Sequence, residues 1–544
     1  MNSKLGQNGR LTRIWLKFLI VPILITGIFF RFTNLDRKVY SYDESITSLR
    51  ISGYTWTEMV QQDFQGKPVS VAYLLAKYQQ INPEKSLFDT VKGLATEEPQ
   101  LPPLYFILAR FWAQLFGPTV AAVRSLSAWI SLLVFPSVYW LCWELFKSTS
   151  VGWMAVAIMA VSPFHVLYAQ EARPYMLFTV IVLLSSAILL RAIALTSSPV
   201  NSKFTSVAWC IYAIAITFGL YTNLLFSLVS IAHAVYLIII DKLRFSKTTI
   251  FYLLAATAGT ISFAPWIVVL FVNSQQVDKT VGFPHLSVAF LSLFKPLILI
   301  TCRVFIDTHW AGGILDFGLR NRLTDLIRII AAGLLLLTIA YSIYWLCRCT
   351  PKRVWLFVLS AIGITVIVLI AVKGIADRYI IAYTLGIQLA AAYLFATKIS
   401  FATNNRKQKL WKLGFIALIS MQIISCTVSS QSQLWWNKYP SSTKYNPAIA
   451  KIVNQSQKPL IVSHGGNNIT GKILSLSYLL KPQVQFLLVV KPNLVKIPEG
   501  FSDVFLYRAT ESLLFELEQV QNYQIQPIYK PGDVWLWHLE KYKD

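Results

Sequence analysis

Charged residues are scarce in this chain. Only 14% of its 544 residues are Asp, Glu, Lys or Arg, whereas a typical soluble domain has about 25%. Apolar residues make up 55% of the sequence and the mean hydropathy is +0.54. The apolar residues recur in runs of roughly 20, the length that a helix needs to cross a bilayer. The low charge excludes an ordinary soluble domain and predicts a polytopic integral membrane protein.

Acidic residues are the scarcest of the charged residues. The chain has 25 Asp and Glu against 49 Lys and Arg, a formal net charge of +24. Such an excess can indicate nucleic-acid binding, but here the basic residues are scattered between apolar runs instead of lying together in one domain. Excess Lys and Arg in short loops is typical of the cytoplasmic face of a membrane protein. We therefore expect membrane lipids as partners and no nucleic acid.

Cysteine is rare as well, and its positions exclude two further classes of site. The six cysteines lie in or near apolar runs, and the polar C-terminal segment has none. This pattern gives neither a disulfide framework nor the spacing of a zinc site. The six histidines show no metal-ligand spacing either. No metal ligand and no cofactor are therefore predicted, and a requirement for a divalent metal ion stays open.

Eleven apolar runs are predicted to be transmembrane helices. They are residues 14–32, 119–146, 151–168, 174–195, 207–222, 224–241, 249–272, 324–347, 354–372, 379–397 and 411–429. With a cytoplasmic N-terminus, this count places the basic clusters on the cytoplasmic side. The run from Leu101 to Gly117 is left out because Arg110 lies in its middle, and a central Arg costs roughly 2.5 kcal/mol or more. We predict that this run is an interfacial helix.

Three larger regions then fall outside the cytoplasm. Outer loop one covers about residues 33–118 and the second outer loop about residues 273–323, both within a transmembrane domain of residues 1–429. Residues 430–544 follow the last span. Their pattern predicts strands at 459–463, 484–490 and 503–507, helices at 471–480 and 511–521, and a hairpin near Pro531. This alternation predicts a small extracytoplasmic α/β domain.

A bare acidic pair, Asp43 and Glu44, lies in outer loop one, with no basic residue between Lys38 and Arg50. Taken alone, the pair could solvate a turn or cap a helix. Two other outside elements also carry charge, "YAQEARPYML" at 168–177 and "VKGIADRYII" at 372–381. Their cations could be anchors at helix ends. Together, carboxylates and cations at the mouth of a helical bundle suit a substrate with an anionic head and a lipid tail.

The order of these features resembles the C-type glycosyltransferases (GT-C), in particular the branch with the protein O-mannosyltransferases and the lipid A aminoarabinose transferases. The matching elements are the Asp-Glu pair, the proline-led segment "LPPLYFILARFW", "QEARPY" and "KGIADRY". The resemblance covers residues 14 to about 397. It implies an all-α GT-C-like membrane domain in the bacterial plasma membrane. It also implies transfer of a sugar from a polyprenyl-phosphate carrier to an acceptor lipid, protein or polysaccharide outside the cytoplasm.

The resemblance also implies roles for single residues. Displacement at an anomeric carbon needs a base for the acceptor hydroxyl and cations for the departing phosphate. Asp43 is the candidate base, and Glu44 tunes it or positions the loop. Leu101 stands where the aminoarabinose branch has a Lys, so phosphate binding is assigned to other residues. The donor-binding candidates, in order of preference for the cations, are Arg378, Lys373 and Arg173, followed by Glu171, Tyr379 and Gln100.

Other functions remain open from the sequence. A flippase or transporter usually has charged sites near the bilayer midplane on broken helices, whereas these apolar runs carry almost no ionisable residues. A lipid-linked oligosaccharide ligase or polymerase shares the chemistry but lacks the early Asp-Glu pair. A receptor or structural protein would not depend on the carboxylates.

Overall fold

The computed structural model of the protein describes ten stretches of the chain. They are residues 18–198, 202–242, 244–281, 294–307, 322–371, 377–400, 405–434, 443–490, 496–531 and 535–541. The chain divides into two compact units. The first, here called the membrane unit, contains Met1–Leu35, Glu98–Tyr105 and Arg124–Gln431. The second, the sheet unit, contains Asp36–Glu97, Phe106–Val123 and Ser432–Asp544.

The membrane unit is built from helices. Its described helices are Phe18–Phe32, Val134–Phe146, Thr149–Ala160, Pro163–Ala169, Tyr175–Thr196, Ser202–Thr222, Phe226–Ile240, Lys247–Ser262, Ala264–Val272, Ser274–Val281, Phe294–Arg303, Arg322–Cys349, Lys352–Ala371, Ile381–Ser400 and Asn405–Gln431. Two further helices, Leu104–Phe116 and Val120–Leu132, contain residues of both units. A short 3₁₀ helix covers Asp377–Tyr379.

Five of the described helices are long and apolar enough to cross a membrane. They are Tyr175–Thr196, Ser202–Thr222, Asn405–Gln431, the part Ile329–Cys349 of helix Arg322–Cys349, and Val120–Phe146, which joins the helices Val120–Leu132 and Val134–Phe146. The number rises to seven if each of two bent helix pairs is one span. Each of the eleven predicted spans overlaps a helix or a helix pair. The all-α polytopic fold class is therefore confirmed, whereas the count of eleven spans stays a prediction.

Two predicted spans are broken rather than straight. Residues 151–168 form the helices Thr149–Ala160 and Pro163–Ala169, bent by 61°, and residues 249–272 form a second pair bent by 54°. Each second helix has a proline in its first turn. A proline has no N–H to continue the preceding helix, and it disfavours helical geometry in the residue before it. Ser162 accordingly has an extended backbone, with φ of −61° and ψ of 122°.

A buried arginine binds the carbonyl groups at the first of these breaks. Arg31 donates from Nη1 to the carbonyl oxygens of Gly27, at 2.8 Å, and of Ala160, and from Nη2 to that of Met159 at 3.1 Å. The last carbonyls of a helix have no partner within the helix and form its negative end. The cation therefore satisfies the end of Thr149–Ala160. A Cβ at Gly27 would lie 2.4 Å from the Ala160 oxygen, so this approach requires glycine.

The run that was predicted to be interfacial forms the helix Leu104–Phe116. Its 13 residues extend about 20 Å, which is shorter than the roughly 30 Å hydrocarbon core. Arg110 is buried in the sheet unit, where it donates to the carbonyl oxygen of Ile51 at 2.6 Å and to Thr90 Oγ1 at 3.2 Å. These bonds explain why an apolar helix carries a central arginine.

The sheet unit contains one six-stranded sheet with the order β1-β3-β2-β4-β6-β5. The strands are β1 Gln65–Ser70, β2 Pro459–His464, β3 Gln485–Val489, β4 Asp503–Tyr507, β5 Tyr523–Tyr529 and β6 Leu536–Lys541. The central strand β2 is parallel to β3 and β4, and the other pairs are antiparallel. Helices Asn467–Ser477 and Glu511–Phe515 follow β2 and β4. These elements match the α/β pattern predicted for the C-terminal segment.

Outer loop one contributes to this sheet and to its core. Strand β1, from outer loop one, pairs with β3 at the edge of the sheet. Helices Tyr42–Ile51, Trp56–Asp63, Val71–Tyr78 and Leu87–Glu97 complete the loop-one part. Side chains from both segments, among them Leu49, Met59, Ile461 and Phe486, share one buried apolar cluster. The sequence analysis assigned loop one to the domain of residues 1–429, whereas in the structure residues 36–97 belong to the same compact unit as residues 432–544.

Candidate functional site

The acidic pair lies in the first turn of helix Tyr42–Ile51 in the sheet unit. Ser41 and Glu44 form a capping box, in which the Ser41 backbone N–H donates to Glu44 Oε2 at 3.0 Å and the Glu44 N–H donates to Ser41 Oγ at 3.3 Å. Glu44 is fully buried, whereas Asp43 is partly exposed. The helix-capping role considered for the pair therefore applies to Glu44.

The far end of the same helix is fixed by a buried ion pair. Arg50 Nη1 lies 2.6 Å from Glu97 Oε2, and both side chains are buried. Glu97 also accepts from the backbone N–H groups of Trp56 and Thr57, each at 2.9 Å. The helix that carries Asp43 is thus held at both ends, which limits how far the carboxylate can move.

In the membrane unit, the "QEARPY" element forms a tight turn between helices Pro163–Ala169 and Tyr175–Thr196. The Arg173 N–H donates to the carbonyl oxygen of Glu171 at 2.8 Å, and both side chains are buried. Gln170 Nε2 donates to the carbonyl oxygens of Phe30 and Thr33, at 2.7 and 2.8 Å. The turn is therefore fixed to the end of helix Phe18–Phe32. It carries the carboxylate of Glu171 and the guanidinium of Arg173, which are two residues apart in the chain.

The "KGIADRY" element brings a second cation and an ion pair to the membrane unit. Arg378 Nη2 donates to Tyr379 Oη at 3.3 Å, and its guanidinium lies 4.9 Å from the centre of the Tyr379 ring. Asp377 Oδ2 lies 3.4 Å from Arg303 Nη1. Burial raises the pKa of Asp377, while the guanidinium groups of Arg303 and Arg378 act in the opposite direction.

Two tyrosines connect these elements within the membrane unit. Tyr168 is buried and lies close enough to Asp377, Arg303 and Arg378 to interact with them electrostatically. Its ring packs edge-on against Tyr175, with the ring centres 5.0 Å apart. The Arg173 guanidinium in turn lies 6.0 Å from the Tyr175 ring. The structure therefore brings Arg173, Arg303 and Arg378 to one region, here called the arginine cluster.

The helix break described above supports this cluster. Ser162, in the break, donates to the carbonyl oxygen of Val304 at 2.7 Å. Thr301 and Tyr383 share a hydrogen bond of 2.7 Å between their hydroxyl groups. These two contacts flank Arg303 on either side along the chain, and so they fix the helix end from which its guanidinium reaches Asp377.

Arg303 and Asp377 were not among the site residues predicted from the sequence. Arg303 lies in the second outer loop, and Asp377 lies beside the predicted Arg378. Each is an ordinary charged residue in the sequence, and only the fold brings them within 3.4 Å of each other. The one available signal was that both fall in segments predicted to lie outside the cytoplasm.

Two other donor-binding candidates are not part of the described cluster. Lys373 lies outside the described residues. Gln100 is half-buried in the membrane unit, next to Pro99, whose carbonyl oxygen accepts from Trp266 Nε1 at 2.9 Å. Within the described stretches, Gln100 Oε1 is buried and has no hydrogen-bond partner. No group of three or more His, Cys, Asp or Glu side chains in those stretches could hold a metal ion.

Part of the chain matches a known family. Residues 100–269 match the family model described as dolichyl-phosphate-mannose-protein mannosyltransferase. This segment contains the proline-led helix and the "QEARPY" turn, and it is less than a third of the chain. No curated protein sequence matches the chain significantly.

The fold is similar to solved structures of membrane enzymes. ArnT from Cupriavidus metallidurans in the apo state gives a TM-score of 0.52 at 12% identity, with 96% of this chain and 97% of that chain covered. The same protein bound to undecaprenyl phosphate gives 0.49 at 11% identity, with the same coverage. The Archaeoglobus fulgidus oligosaccharyltransferase with Zn and sulfate gives 0.49 at 10% identity, and the match covers 85% of this chain but only 62% of that longer chain. Residues 100–269 therefore match a mannosyltransferase family model, and the fold of the chain is similar to that of ArnT in the apo state.

Proposed function

We propose that this protein transfers a sugar from a polyprenyl-phosphate-type lipid carrier to an acceptor hydroxyl outside the cytoplasm. The observation that carries the proposal is the arginine cluster in a GT-C membrane unit. Asp377 interacts with Arg303 and Arg378, and Glu171 lies two residues before Arg173 in the chain. The excess of positive charge suits a phosphate at the surface of a membrane, because guanidinium groups bind phosphate with two parallel donors and stay charged near lipid.

The proposed chemistry needs a base and a set of cations. Asp43 takes the proton of the acceptor hydroxyl as the hydroxyl oxygen attacks the anomeric carbon. The bond between that carbon and the phosphate oxygen breaks, and the phosphate leaves on the lipid as its negative charge develops. Arg378, with Arg173 and Arg303, stabilises that charge. The acceptor can be a lipid, a protein or a polysaccharide.

The assay for this activity uses the protein reconstituted in lipid nanodiscs with undecaprenyl-phosphate sugars and an envelope extract as acceptor. The proposal expects free undecaprenyl phosphate to appear together with a modified acceptor. Release of the lipid phosphate without any modified acceptor would identify hydrolysis instead, and no release from any lipid-linked sugar would contradict the proposal.

Glu44→Gln is expected to leave the transfer rate within a few-fold of wild type. Glutamine keeps a side-chain oxygen that can accept from the Ser41 N–H, so the capping box survives, and Glu44 is proposed to position the loop rather than to accept the proton. The comparison is Glu44→Ala, which leaves Ser41 as the N-cap but removes the acceptor for its N–H. Leaving a buried donor unpaired should cost about 1–3 kcal/mol of stability. The measurements are the initial transfer rate and the melting temperature. A rate for Glu44→Gln as low as that for Asp43→Asn would show that Glu44 takes part in the chemistry.

Both units are proposed to have fixed orientations, with the N-terminus cytoplasmic and residues 430–544 extracytoplasmic. In a background without native cysteines, single cysteines at Glu84 and Gly466 should react with an impermeant maleimide in intact cells. A cysteine at Lys407 should react only after the membrane is opened. All three positions are exposed in their own units. Reaction of positions 407 and 466 from the same side would contradict the eleven-span topology.

Transport of a lipid-linked sugar is the second candidate function, and the two bent helix pairs favour it. Broken helices are common at the substrate sites of transporters, and Arg31 lies buried beside one break. Sealed vesicles separate the candidates. A flippase moves a fluorescent lipid-linked sugar to the opposite leaflet with its sugar bond intact, whereas a transferase breaks that bond only when the acceptor is present.

A further inference from the structure

We propose that the C-terminal segment positions the candidate base. In this proposal Gly471 is the positioning residue, because it sets how closely the helix that carries Asp43 packs against helix Asn467–Ser477. This inference rests on the proposed role of Asp43. The sequence predicts no role for the C-terminal domain, because its charged residues show no cluster of carboxylates and cations.

The packing contact of Gly471 lies between two helices of the sheet unit. Helix Tyr42–Ile51 packs against helix Asn467–Ser477. A Cβ at Gly471 would lie 2.6 and 2.7 Å from Cε2 and Cδ2 of Tyr42, and 2.9 Å from Cδ1 of Ile46. Real side chains do not approach this closely, so only glycine permits the observed packing. Tyr42 directly precedes Asp43, and a displacement of its ring therefore acts on the turn that holds the carboxylate.

Two buried hydrogen bonds fix the register of the same pair of helices. Ser45 Oγ donates to the carbonyl oxygen of Gly471 at 2.9 Å, and Ser475 Oγ donates to that of Tyr40 at 2.6 Å. Both serine side chains are fully buried. Gly471 and Ser475 are one turn apart and so lie on the same face of their helix. The C-terminal helix thus holds the chain just before the capping box and one turn after it begins.

The chemistry makes this placement consequential. A general base acts within about 2.6–3.2 Å of the proton that it removes, and a misplacement of 1 Å can reduce the rate about 10²-fold. An alanine at Gly471 must move the Tyr42 ring by several tenths of an ångström or more to restore ordinary contact. The donor-binding candidates belong to the membrane unit, whereas Gly471 belongs to the sheet unit. We therefore expect the substitution to lower kcat and to leave the KM for the lipid donor nearly unchanged.

The test compares Gly471→Ala with Gly466→Ala. A Cβ at Gly466 would meet nothing within 4 Å, so the control makes the same change near the start of the same helix without a clash. Gly471→Ala is expected to lower kcat roughly 10- to 100-fold and to increase amide hydrogen exchange over residues 42–51. The control should match wild type in both. Adding Tyr42→Leu to Gly471→Ala removes the ring that the new methyl meets and should recover part of kcat.

A second variant keeps the test decisive if Gly471→Ala does not fold. Ser475→Ala removes the hydrogen bond to the Tyr40 carbonyl and the one that Ser475 accepts from Asn446 Nδ2. It adds no atoms, and it is expected to lower kcat several-fold at an unchanged donor KM. Wild-type kcat in both Gly471→Ala and Ser475→Ala would overturn the inference. If those variants are slow but Asp43→Asn turns over at the wild-type rate, the proposed base is wrong, so the two failures are distinguishable.

Discussion

Asp43→Asn is expected to lower the rate of sugar transfer by about 10²- to 10⁴-fold, the usual effect of losing a general base. Asparagine keeps the size and the hydrogen-bonding capacity of the side chain but cannot take the acceptor proton. Because Asp43 is partly exposed and Glu44 makes the cap of its helix, the protein should fold and bind donor normally. The measurements are initial rates with one lipid donor, the apparent donor affinity and the melting temperature.

The matched control is Asp36→Asn, which makes the same change at an exposed position of the same loop. It should transfer sugar at the wild-type rate. Both Asp43→Asn and Glu44→Gln are also measured with excess divalent ion and with a chelator, since a metal site would show partial rescue of both variants by the ion. Transfer at near the wild-type rate by Asp43→Asn would remove Asp43 from the catalytic role.

Arg378→Ala is expected to weaken the apparent affinity for the lipid donor roughly 10- to 100-fold, because hydrogen bonds to charged groups contribute about 1.5–3 kcal/mol. The same change lowers transfer, since fewer donors stabilise the leaving phosphate. Arg378→Lys keeps the charge but loses the planar pair of donors, so it should restore only part of the affinity. Binding of undecaprenyl phosphate alone, measured without an acceptor, isolates this effect from the chemistry.

Arg348→Ala provides the control for a lost surface cation. Arg348 is an exposed residue at the end of helix Arg322–Cys349, on the side predicted to be cytoplasmic. Its substitution should change neither affinity nor rate. Unchanged lipid-phosphate affinity in both Arg378 variants would exclude Arg378 from the donor site and would leave Lys373, Arg173 and Arg303 as the remaining cations.

The helices of the membrane unit could be predicted from the sequence because their determinants are local. A buried charge is costly in lipid, so long apolar runs bounded by Lys and Arg indicate the spans directly. The same cost at Arg110 kept the helix Leu104–Phe116 out of the predicted spans. The break at Ser162 was missed even though Pro163 is a local signal, because the hydropathy on both sides stays high enough for one continuous span.

The pairing of outer loop one with the C-terminal segment could not be predicted. Strand β1, "QGKPVS", is largely exposed, contains a proline and lacks the alternation of a typical strand. Its partner β3 lies about 400 residues later in the chain. Edge pairing of this kind depends on the backbone groups that the rest of the sheet leaves open, which the sequence does not record. Asp43 was identified through its acidic neighbour, but Gly471, against which its helix packs, has no local signature in the sequence.

Lipid mass spectrometry of cells with and without the protein tests the central claim most directly. The claim is that the protein consumes a polyprenyl-phosphate-linked sugar and that Asp43 is needed for this. Cells without the protein should accumulate one such lipid, cells with the wild-type protein should not, and cells with Asp43→Asn should accumulate it at a normal protein level. The mass of the accumulated lipid would identify the sugar. Equal pools of every polyprenyl-linked sugar in the three strains, with the wild-type protein present in the membrane and its acceptor available, would contradict the account.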